Sequence, residues 1–140
     1  MQTSTTDHAA PYGVALLRIS LGAMWIAHAL LKWLVFTLPG TAQFFASVGL
    51  PGALAYPVFA AELLGGTAIL LGLYARQVSL ALVPIMLGAA SVHFGNGWVF
   101  TSQGGGWEYP VFLAVASVAL WLAGDGALAL RSSWRFVPVL

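Results

Sequence analysis

Cysteine is absent from this sequence, and charged side chains are scarce. The absence of cysteine excludes disulfides, thiol catalysis and cysteine-ligated iron–sulfur clusters. Only 6% of the 140 residues are charged, against roughly a quarter in an ordinary globular domain. Since 60% of the residues are hydrophobic, the few charges cannot cover a soluble fold of this size. The composition therefore predicts an integral membrane protein, and the length allows a single domain over residues 1–140.

Other absences narrow the range of functions. The formal net charge is +1 and there is no basic run, so neither nucleic acid nor an acidic substrate is indicated as a partner. The sequence has no flavin or dinucleotide motif and no convincing internal repeat of the kind found in inverted-repeat transporters. Residues 1–11 lack the basic and apolar regions of a signal peptide, so we expect them to form a short retained tail.

Four apolar stretches predict an all-α fold, an integral membrane bundle of four transmembrane helices. They cover approximately residues 14–37, 54–74, 78–93 and 109–123. A hydrocarbon core of about 30 Å requires about 20 helical residues, and the first two stretches meet that length. The third is short unless it is tilted or extended by Phe94. The fourth would reach Leu130 only if the helix continued through residues 124–126.

The connections between these stretches carry their own signals. Pro39 is predicted to end the first helix, and Thr41 to cap a short interfacial helix over residues 42–48 in the first outer loop. A tight turn around residues 75–77 would join the second and third helices. The third connection, residues 95–107, combines five glycines with three aromatic residues. That composition favours an interfacial or re-entrant loop folded back on the bundle.

The distribution of arginine predicts the orientation. Arg76, Arg131 and Arg135 fall on the side shared by the second turn and the C-terminus, and the two opposite loops contain neither Lys nor Arg. By the positive-inside bias both termini are then cytoplasmic. We expect the basic-aromatic tail, residues 131–140, to act as an interfacial anchor, and Arg18 to extend toward the same interface.

Five ionisable side chains are predicted to meet near the outer end of this bundle. An ionisable group inside a membrane segment costs about 2.5–3.5 kcal/mol on insertion scales, so each requires a reason. If the helices alternate in direction, all four contribute to one depth: His28, Lys32, Glu62, His93 and Glu108. Lys32 follows His28 by four residues, which makes the two side chains neighbours on one helix face.

Helical phase supports an inward position for these groups. One stripe of the first helix contains Arg18, Gly22, Trp25, His28 and Lys32, which at 100° per residue can face the bundle interior. On the second helix one face contains Glu62, Gly65, Gly66 and Ile69. The small residues of that face would let another helix approach closely.

Simpler interpretations remain open for each group. Lys32 and Glu62 can form an ion pair that only joins two helices. His28 can bind a carbonyl, and His93 can lie at the interface, without chemistry. Glu108 is also what a helix N-terminus favours. The tryptophans are commonly interfacial anchors rather than platforms for a ligand.

The order of these residues resembles the DoxX family over about residues 14–128. The likeness is carried by Leu17-Arg18, Leu21-Gly22, Trp25, His28, Lys32, Gly49-Leu50-Pro51, Glu62, Gly65-Gly66, Leu71-Gly72-Leu73, Arg76, His93, Asn96-Gly97-Trp98 and residues 104–110. Ala29 departs from the glycine that many relatives have after the histidine. The segment Trp134-Arg135-Phe136 is not part of the family pattern.

The resemblance implies a four-helix, multi-pass protein of the bacterial inner membrane. Better-understood relatives include a subunit of a thiosulfate:quinone oxidoreductase and proteins tied to quinone or thiol stress. Because the family is functionally mixed, its name alone does not establish catalysis.

The leading hypothesis is a membrane subunit of a quinone-linked oxidoreductase system. A quinone head group would enter between helices, and Lys32 and His28 would bind its carbonyl oxygens. Glu62 or Glu108 would relay a proton, with His93 as a further ionisable candidate. The aromatic residues expected at the head group are Trp25, Trp98 and Trp107. A partner protein would supply electrons, and no covalently bound cofactor is expected.

Three alternatives are carried with it. The chain can be a non-enzymatic structural or assembly subunit of a larger membrane complex. His28 and His93 can be ligands of a metal or haem, although two histidines are a weak signal. A small-solute transporter is the third alternative.

Overall fold

The computed structural model describes residues 9–134. It contains five α-helices, followed here as α1 (Ala10–Leu30), α2 (Leu38–Ser47), α3 (Ala55–Leu71), α4 (Ala75–His93) and α5 (Glu108–Ala123). The described residues form no strand, only an isolated bridge between Leu73 and Arg131. The prediction of an all-α fold is therefore confirmed. The first eight residues of the predicted tail, and residues 135–140 of the basic-aromatic tail, lie outside the described residues.

Helix boundaries differ from the prediction at both ends of the first long helix and at the end of the second. α1 begins at Ala10 because Pro11 occupies its first turn, where the missing N–H costs nothing. It ends in a π turn, Leu31–Val35, rather than continuing to residue 37. α3 ends at Leu71 because Gly72 adopts the left-handed conformation, with φ 71°.

The turn predicted at residues 75–77 is wrong, because these residues form the first turn of α4. The chain reverses earlier, at residues 72–74. Gly72 and Tyr74 both have positive φ, 71° and 50°, and the two left-handed residues complete the reversal in a very short segment. α4 consequently gains a turn at its start and a 3₁₀ turn, Phe94–Asn96, at its end.

The predicted interfacial helix is longer than expected and has a different cap. α2 starts at Leu38, with Pro39 in its first turn. Thr37, not Thr41, is the capping residue: its Oγ1 accepts a hydrogen bond from the Gly40 amide at 3.1 Å. Thr41 is buried, and its hydroxyl donates to the Thr37 carbonyl at 2.9 Å. Proline is tolerated at a helix start, so Pro39 does not mark the end of the preceding helix.

Two antiparallel helix pairs form the bundle, α1 with α3 and α4 with α5. At the α1–α3 contact, a Cβ on Gly22 would lie 2.6 Å from the Leu70 amide nitrogen. A Cβ on Gly66 would lie 2.7 Å from that of Trp25. Glycine at both positions is what allows the backbones to approach so closely, as the small-residue face of α3 predicts.

The outer surface of the bundle is apolar. Leu16, Leu64 and Phe112 have 68%, 70% and 66% of their side chains exposed. Three helical stretches are long and apolar enough to cross a membrane, Ala10–Val35, Gly52–Leu71 and Ala75–Asn96, and Glu108–Ala123 is a shorter apolar helix. Helices that are apolar on all sides are typical of membrane spans.

The two ends of the bundle are named here by their chain connections. The turn end holds the α3–α4 turn and residues 124–134, and the loop end holds the α1–α3 connection and residues 94–107. α5 ends at Ala123 because Gly124, with φ 109°, leaves the helical conformation, so the helix does not extend to Leu130. The segment after it returns over the turn end, where the Ala127 amide donates to the Pro11 carbonyl at 2.8 Å.

Arg18 does not extend to the interface as expected. It is buried, with 1% of its side chain exposed, and its guanidinium donates to the carbonyls of Leu70 at 2.7 Å and Ala127 at 3.0 Å. The last carbonyls of a helix lack partners within the helix. Arg18 supplies a donor to Leu70 and, at 3.3 Å, to Ile69 of α3. The Leu130 amide donates to Leu71, the last residue of α3, and the Arg131 amide donates to Gly72, which caps the helix.

Candidate functional site

An ion pair joins the π turn after α1 to α3. The Lys32 Nζ lies 2.7 Å from Oε2 and 2.9 Å from Oε1 of Glu62, so the ammonium donates to both carboxylate oxygens. Glu62 has 1% of its side chain exposed, whereas Lys32 has 17%. A buried carboxylate needs such a partner, because an unpaired charge in the interior is strongly destabilising. The pair connects two helices, and its ammonium side is the more accessible one.

His28 lies one helical turn before Lys32 and contacts α5. Its ring stacks on Tyr109, with centroids 5.1 Å apart and planes inclined by 20°. Its Nδ1 lies 2.9 Å from the carbonyl oxygen of Met24. Because a carbonyl only accepts, Nδ1 is the donor of this contact.

A groove opens where α5 meets the loop that precedes it. Its volume is about 470 Å³, and its lining residues are Trp98, Phe100, Glu108, Tyr109, Val111, Phe112 and Val115. Tyr109 belongs both to this groove and to the ring pair with His28. Its hydroxyl is buried and has no hydrogen-bond partner among residues 9–134. The groove is therefore a largely apolar slot lined by Tyr109 and Glu108, and the Tyr109 hydroxyl is buried at its edge.

Glu108 holds together the loop that leads into α5. Its Oε1 accepts a hydrogen bond from the Phe100 amide at 2.8 Å, and its own amide donates to the Trp98 carbonyl at 3.1 Å. The Trp107 amide donates to the Gly97 carbonyl at 3.2 Å. These bonds close residues 97–108 into a compact loop. Glu108 is also the first residue of α5, which fits the helix-terminus interpretation as well.

His93 ends α4 and has a different environment. Its ring lies parallel to that of Phe44 in α2, with centroids 6.5 Å apart and planes inclined by 21°. The Asn96 Nδ2 lies 3.4 Å from its Nδ1. Within the described part of the chain, no hydrogen bond links His93 to another of the five predicted ionisable residues.

The three predicted aromatic residues are divided between the core and the loop. Trp25 is fully buried between α1 and α3, where it packs against Gly66. Trp98 and Trp107 form an edge-to-face pair with centroids 4.4 Å apart. Trp98 lines the groove and has 51% of its side chain exposed. Trp98 is thus placed to contact a ligand in the groove, and Trp25 is placed as a packing residue.

Tyr109 is a candidate that the sequence did not single out. The sequence offered one indication of its position: it follows Glu108 at a predicted helix start. Its side chain therefore points about 100° away from that of Glu108 around the helix axis. Only the tertiary contact with His28 gives the residue a role. The structure therefore brings Lys32 to Glu62 and His28 to Tyr109. Glu108 is bound within its own loop, and His93 contacts α2 and Asn96.

Residues 9–134 contain no group of three or more His, Cys, Asp or Glu side chains that could hold a metal ion. His28 contacts Met24 and Tyr109, whereas His93 contacts Phe44 and Asn96. These separate environments give no support to a metal or haem bound between the two histidines.

The fold and the site together define a class, a small all-α membrane protein with an ion pair between its helices near one end. The chain belongs to the DoxX family, whose model matches residues 13–95. It is also similar to a protein of Bacillus subtilis (strain 168) named "Putative oxidoreductase CatD", with 34% identity over 124 residues and 84% of each chain covered. No solved structure matches the chain.

These comparisons confirm the resemblance seen in the sequence. The family match includes Arg18, His28, Lys32, Glu62 and His93. It ends before Glu108 and Tyr109, so the groove beside α5 lies outside the matched residues.

Proposed function

We propose that α1, α3, α4 and α5 span the bacterial inner (plasma) membrane, with both termini in the cytoplasm. The apolar lengths of the helices and the apolar outer surface support this placement. Arg76 and Arg131 both belong to the turn end, which would then face the cytoplasm. α5 has 16 residues, or about 24 Å of helix, so the bilayer would be thinner or more polar beside it.

Reporter fusions test this topology. A reporter inserted after Arg76 or after Leu140 should report the cytoplasm, and one inserted within residues 40–52 or 95–106 should report the opposite side. Any exchange between these pairs contradicts the proposed orientation. A connection that reports the same side as its neighbour would mean that one helix does not cross.

We further propose that this chain is a membrane subunit of a quinone-linked oxidoreductase system. One observation carries the proposal: Tyr109 joins the apolar groove to His28, one helical turn from the Lys32–Glu62 ion pair. A quinone head group needs an apolar slot for its ring and donors for its carbonyl oxygens. The phenol of Tyr109 is such a donor, and the loop aromatics form the slot.

Reduction of a quinone to a quinol takes up two electrons and two protons. The imidazole of His28 would act as a general acid and base toward the bound ring, and a carboxylate such as Glu62 or Glu108 would pass protons on. Lys32 would stabilise negative charge on the reduced ring before protonation. The electrons would come from a partner protein, since the chain has neither cysteine nor a flavin motif. The oxidoreductase name of the Bacillus subtilis relative supports this reaction class.

Bound quinone is the direct test. The protein is purified from its native membrane in a mild non-ionic detergent, and the extracted quinone is counted per chain by mass spectrometry. Val115→Trp fills the groove and should abolish bound quinone. Leu122→Trp places the same ring on an exposed site of α5 outside the groove and should retain it. Equal retention by both variants would place the quinone elsewhere or exclude it.

A non-enzymatic assembly subunit is the second candidate, and one observation favours it. Lys32 and Glu62 satisfy each other in a two-pronged contact, and the Glu108 carboxylate is used by its own loop. These contacts therefore also fit a purely structural role, in which the charged groups only hold helices and loops together. Absence of quinone from the purified protein, together with a stable larger complex, would make this function the better one.

A further inference from the structure

A second groove lies at the turn end, at the opposite end of α5 from Tyr109. Its volume is about 470 Å³, and its lining residues are Arg76, Gln77, Leu80, Ala81, Trp121 and Trp134. None of these residues has a part in the proposed quinone chemistry. The groove combines one cation, an amide, two indole rings and an apolar wall.

The guanidinium of Arg76 is held in place beside this groove. Its Nε donates to the Trp121 carbonyl at 2.7 Å, while its two terminal nitrogens have no hydrogen-bond partner among the described residues. Asp125 does not neutralise it there: that carboxylate accepts from the amide of Arg76 and from the amide and hydroxyl of Ser133. An oriented guanidinium with free donors is suited to bind a phosphate group.

Gln77 adds an acceptor next to this cation. Its Nε2 donates to the Trp134 carbonyl at 3.0 Å, which fixes the side-chain amide. Its Oε1 is buried and has no partner within residues 9–134. A buried acceptor of this kind is satisfied by a hydroxyl or ammonium donor. A ligand that offers a phosphate to Arg76 and a hydroxyl or ammonium donor to Gln77 has the chemistry of a phospholipid head group.

The apolar wall continues away from the head-group end along α4. Leu80 has 39% of its side chain exposed, and Leu87, seven residues later on the same helix face, has 56%. Trp121 and Trp134 are of the type that lies at a membrane–water interface. The groove thus has a charged part at interfacial depth and an apolar track leading from it.

We propose that this groove binds one glycerophospholipid, with its phosphate on Arg76, a head-group donor on Gln77 and an acyl chain along the Leu80–Leu87 face of α4. The site goes beyond the proposed function and does not depend on quinone chemistry. The proposed topology only assigns the leaflet, which is the cytoplasmic one. Basic sites between helices on that side are where anionic lipid head groups bind.

Native mass spectrometry of the full chain in a non-ionic detergent tests the site. Phosphatidylglycerol and phosphatidylcholine with identical acyl chains are titrated separately, and one phosphatidylglycerol should bind preferentially. Arg76→Gln should weaken that binding by about fivefold. Arg131→Gln is the matched control, because Arg131 is an exposed arginine of the same end outside the groove. It removes the same charge and should leave binding unchanged.

A second pair of variants leaves Arg76 and its hydrogen bond intact. Ala81→Phe fills the apolar wall of the groove and should abolish binding of phosphatidylglycerol. Ala119→Phe adds the same ring to an exposed position of α5 outside the groove and should preserve it. This comparison decides the proposal even where Arg76→Gln impairs folding.

Three outcomes would overturn the proposal. Equal weakening by Arg76→Gln and Arg131→Gln would show that only net charge matters. Displacement of phosphatidylglycerol by millimolar inorganic phosphate would show that no acyl chain is bound. A chain ending at Trp134 that alone binds phosphatidylglycerol would show that residues 135–140 occupy the groove in the full chain.

Discussion

The two ends of this bundle bind their buried charges in different ways. At the loop end, the Glu62 carboxylate is paired with another side chain, the ammonium of Lys32. At the turn end, the Arg18 guanidinium donates to main-chain carbonyls, those of Leu70 and Ala127. A pair of side chains can be removed together by two substitutions. A cation bound to the main chain has no partner that a second substitution could remove.

The difference extends to accessibility. Arg18 is 1% exposed, whereas Lys32, one helical turn after His28, keeps 17% of its side chain exposed. At the turn end, therefore, Arg18 and the segment after α5 have a structural role: they bind the end of α3. At the loop end, by contrast, Lys32 and His28 are only partly buried. Ionisable groups inside a membrane protein are functional candidates by default. That interpretation fits the loop end better than the turn end, where the buried arginine binds the main chain.

The largest loss of stability is expected at the turn end, from Arg18→Met. The methionine keeps much of the apolar stem but leaves the carbonyls of Leu70 and Ala127 without their donor. Each buried acceptor left unpaired costs about 1–3 kcal/mol, so we expect a loss of about 3 kcal/mol. Thermal unfolding in detergent measures it. Arg18→Lys keeps a donor and should lose less; equal losses would show that the guanidinium contacts are not what stabilises this end.

At the loop end, Glu62→Ala should lose about 2 kcal/mol. Removal of one partner of a buried pair commonly costs about 3–5 kcal/mol, and the partial exposure of Lys32 reduces that figure. The double variant Lys32→Ala, Glu62→Ala should lose less free energy of unfolding than the two single variants lose together. A double-mutant cycle measures this coupling. Simple additivity of the two losses would mean that the side chains do not stabilise each other.

Much of the bundle could be predicted from local sequence, because its signals are local. Apolar length located the four long helices, and the period of 3.6 residues placed Gly22 and Gly66 on contacting faces. The errors occurred where a local rule had two outcomes. Proline both ends and begins helices, so Pro39 was assigned to the wrong one, and Gly72 rather than residues 75–77 determined the second turn.

The site was predictable only in part. The depth of each charged residue follows from its place in a helix, which is why Lys32 and Glu62 could be expected at one level. The partners of Arg18 and Tyr109 could not be read in the same way. Arg18 binds the segment after α5, more than 100 residues away in the chain, and Tyr109 depends on which face of α5 meets α1. Such contacts are set by tertiary packing and leave no periodic signal.

A smaller effect is expected from Asp125→Ala at the turn end. Asp125 accepts hydrogen bonds from the Arg76 amide and from the amide and hydroxyl of Ser133. Their loss should cost about 1–2 kcal/mol, since the donors are partly exposed and can turn to water. Limited proteolysis should show faster cleavage within residues 124–134, with the loop end unchanged. Unchanged cleavage would show that the hydrogen bonds of Asp125 do not hold residues 124–134 in place.

The smallest effect on stability, and the largest on activity, is expected from the two histidines of the loop end. His28→Gln preserves a donor for the Met24 carbonyl and loses the ring contact with Tyr109. His93→Gln removes a ring contact with Phe44 and a long contact with Asn96. Both variants should assemble with stability within about 0.5 kcal/mol of the natural chain. Glutamine replaces a hydrogen bond but cannot relay a proton at pH 7. If the histidines serve a quinone site, the quinone-dependent activity of the complex containing this subunit should be abolished.

Tyr109→Phe provides the contrast, because it keeps the ring pair with His28 and removes only the phenol hydroxyl. It should raise the KM for quinone more than it lowers kcat. Full activity of both histidine variants in an assembled complex would instead make the loop end, like the turn end, a structural device.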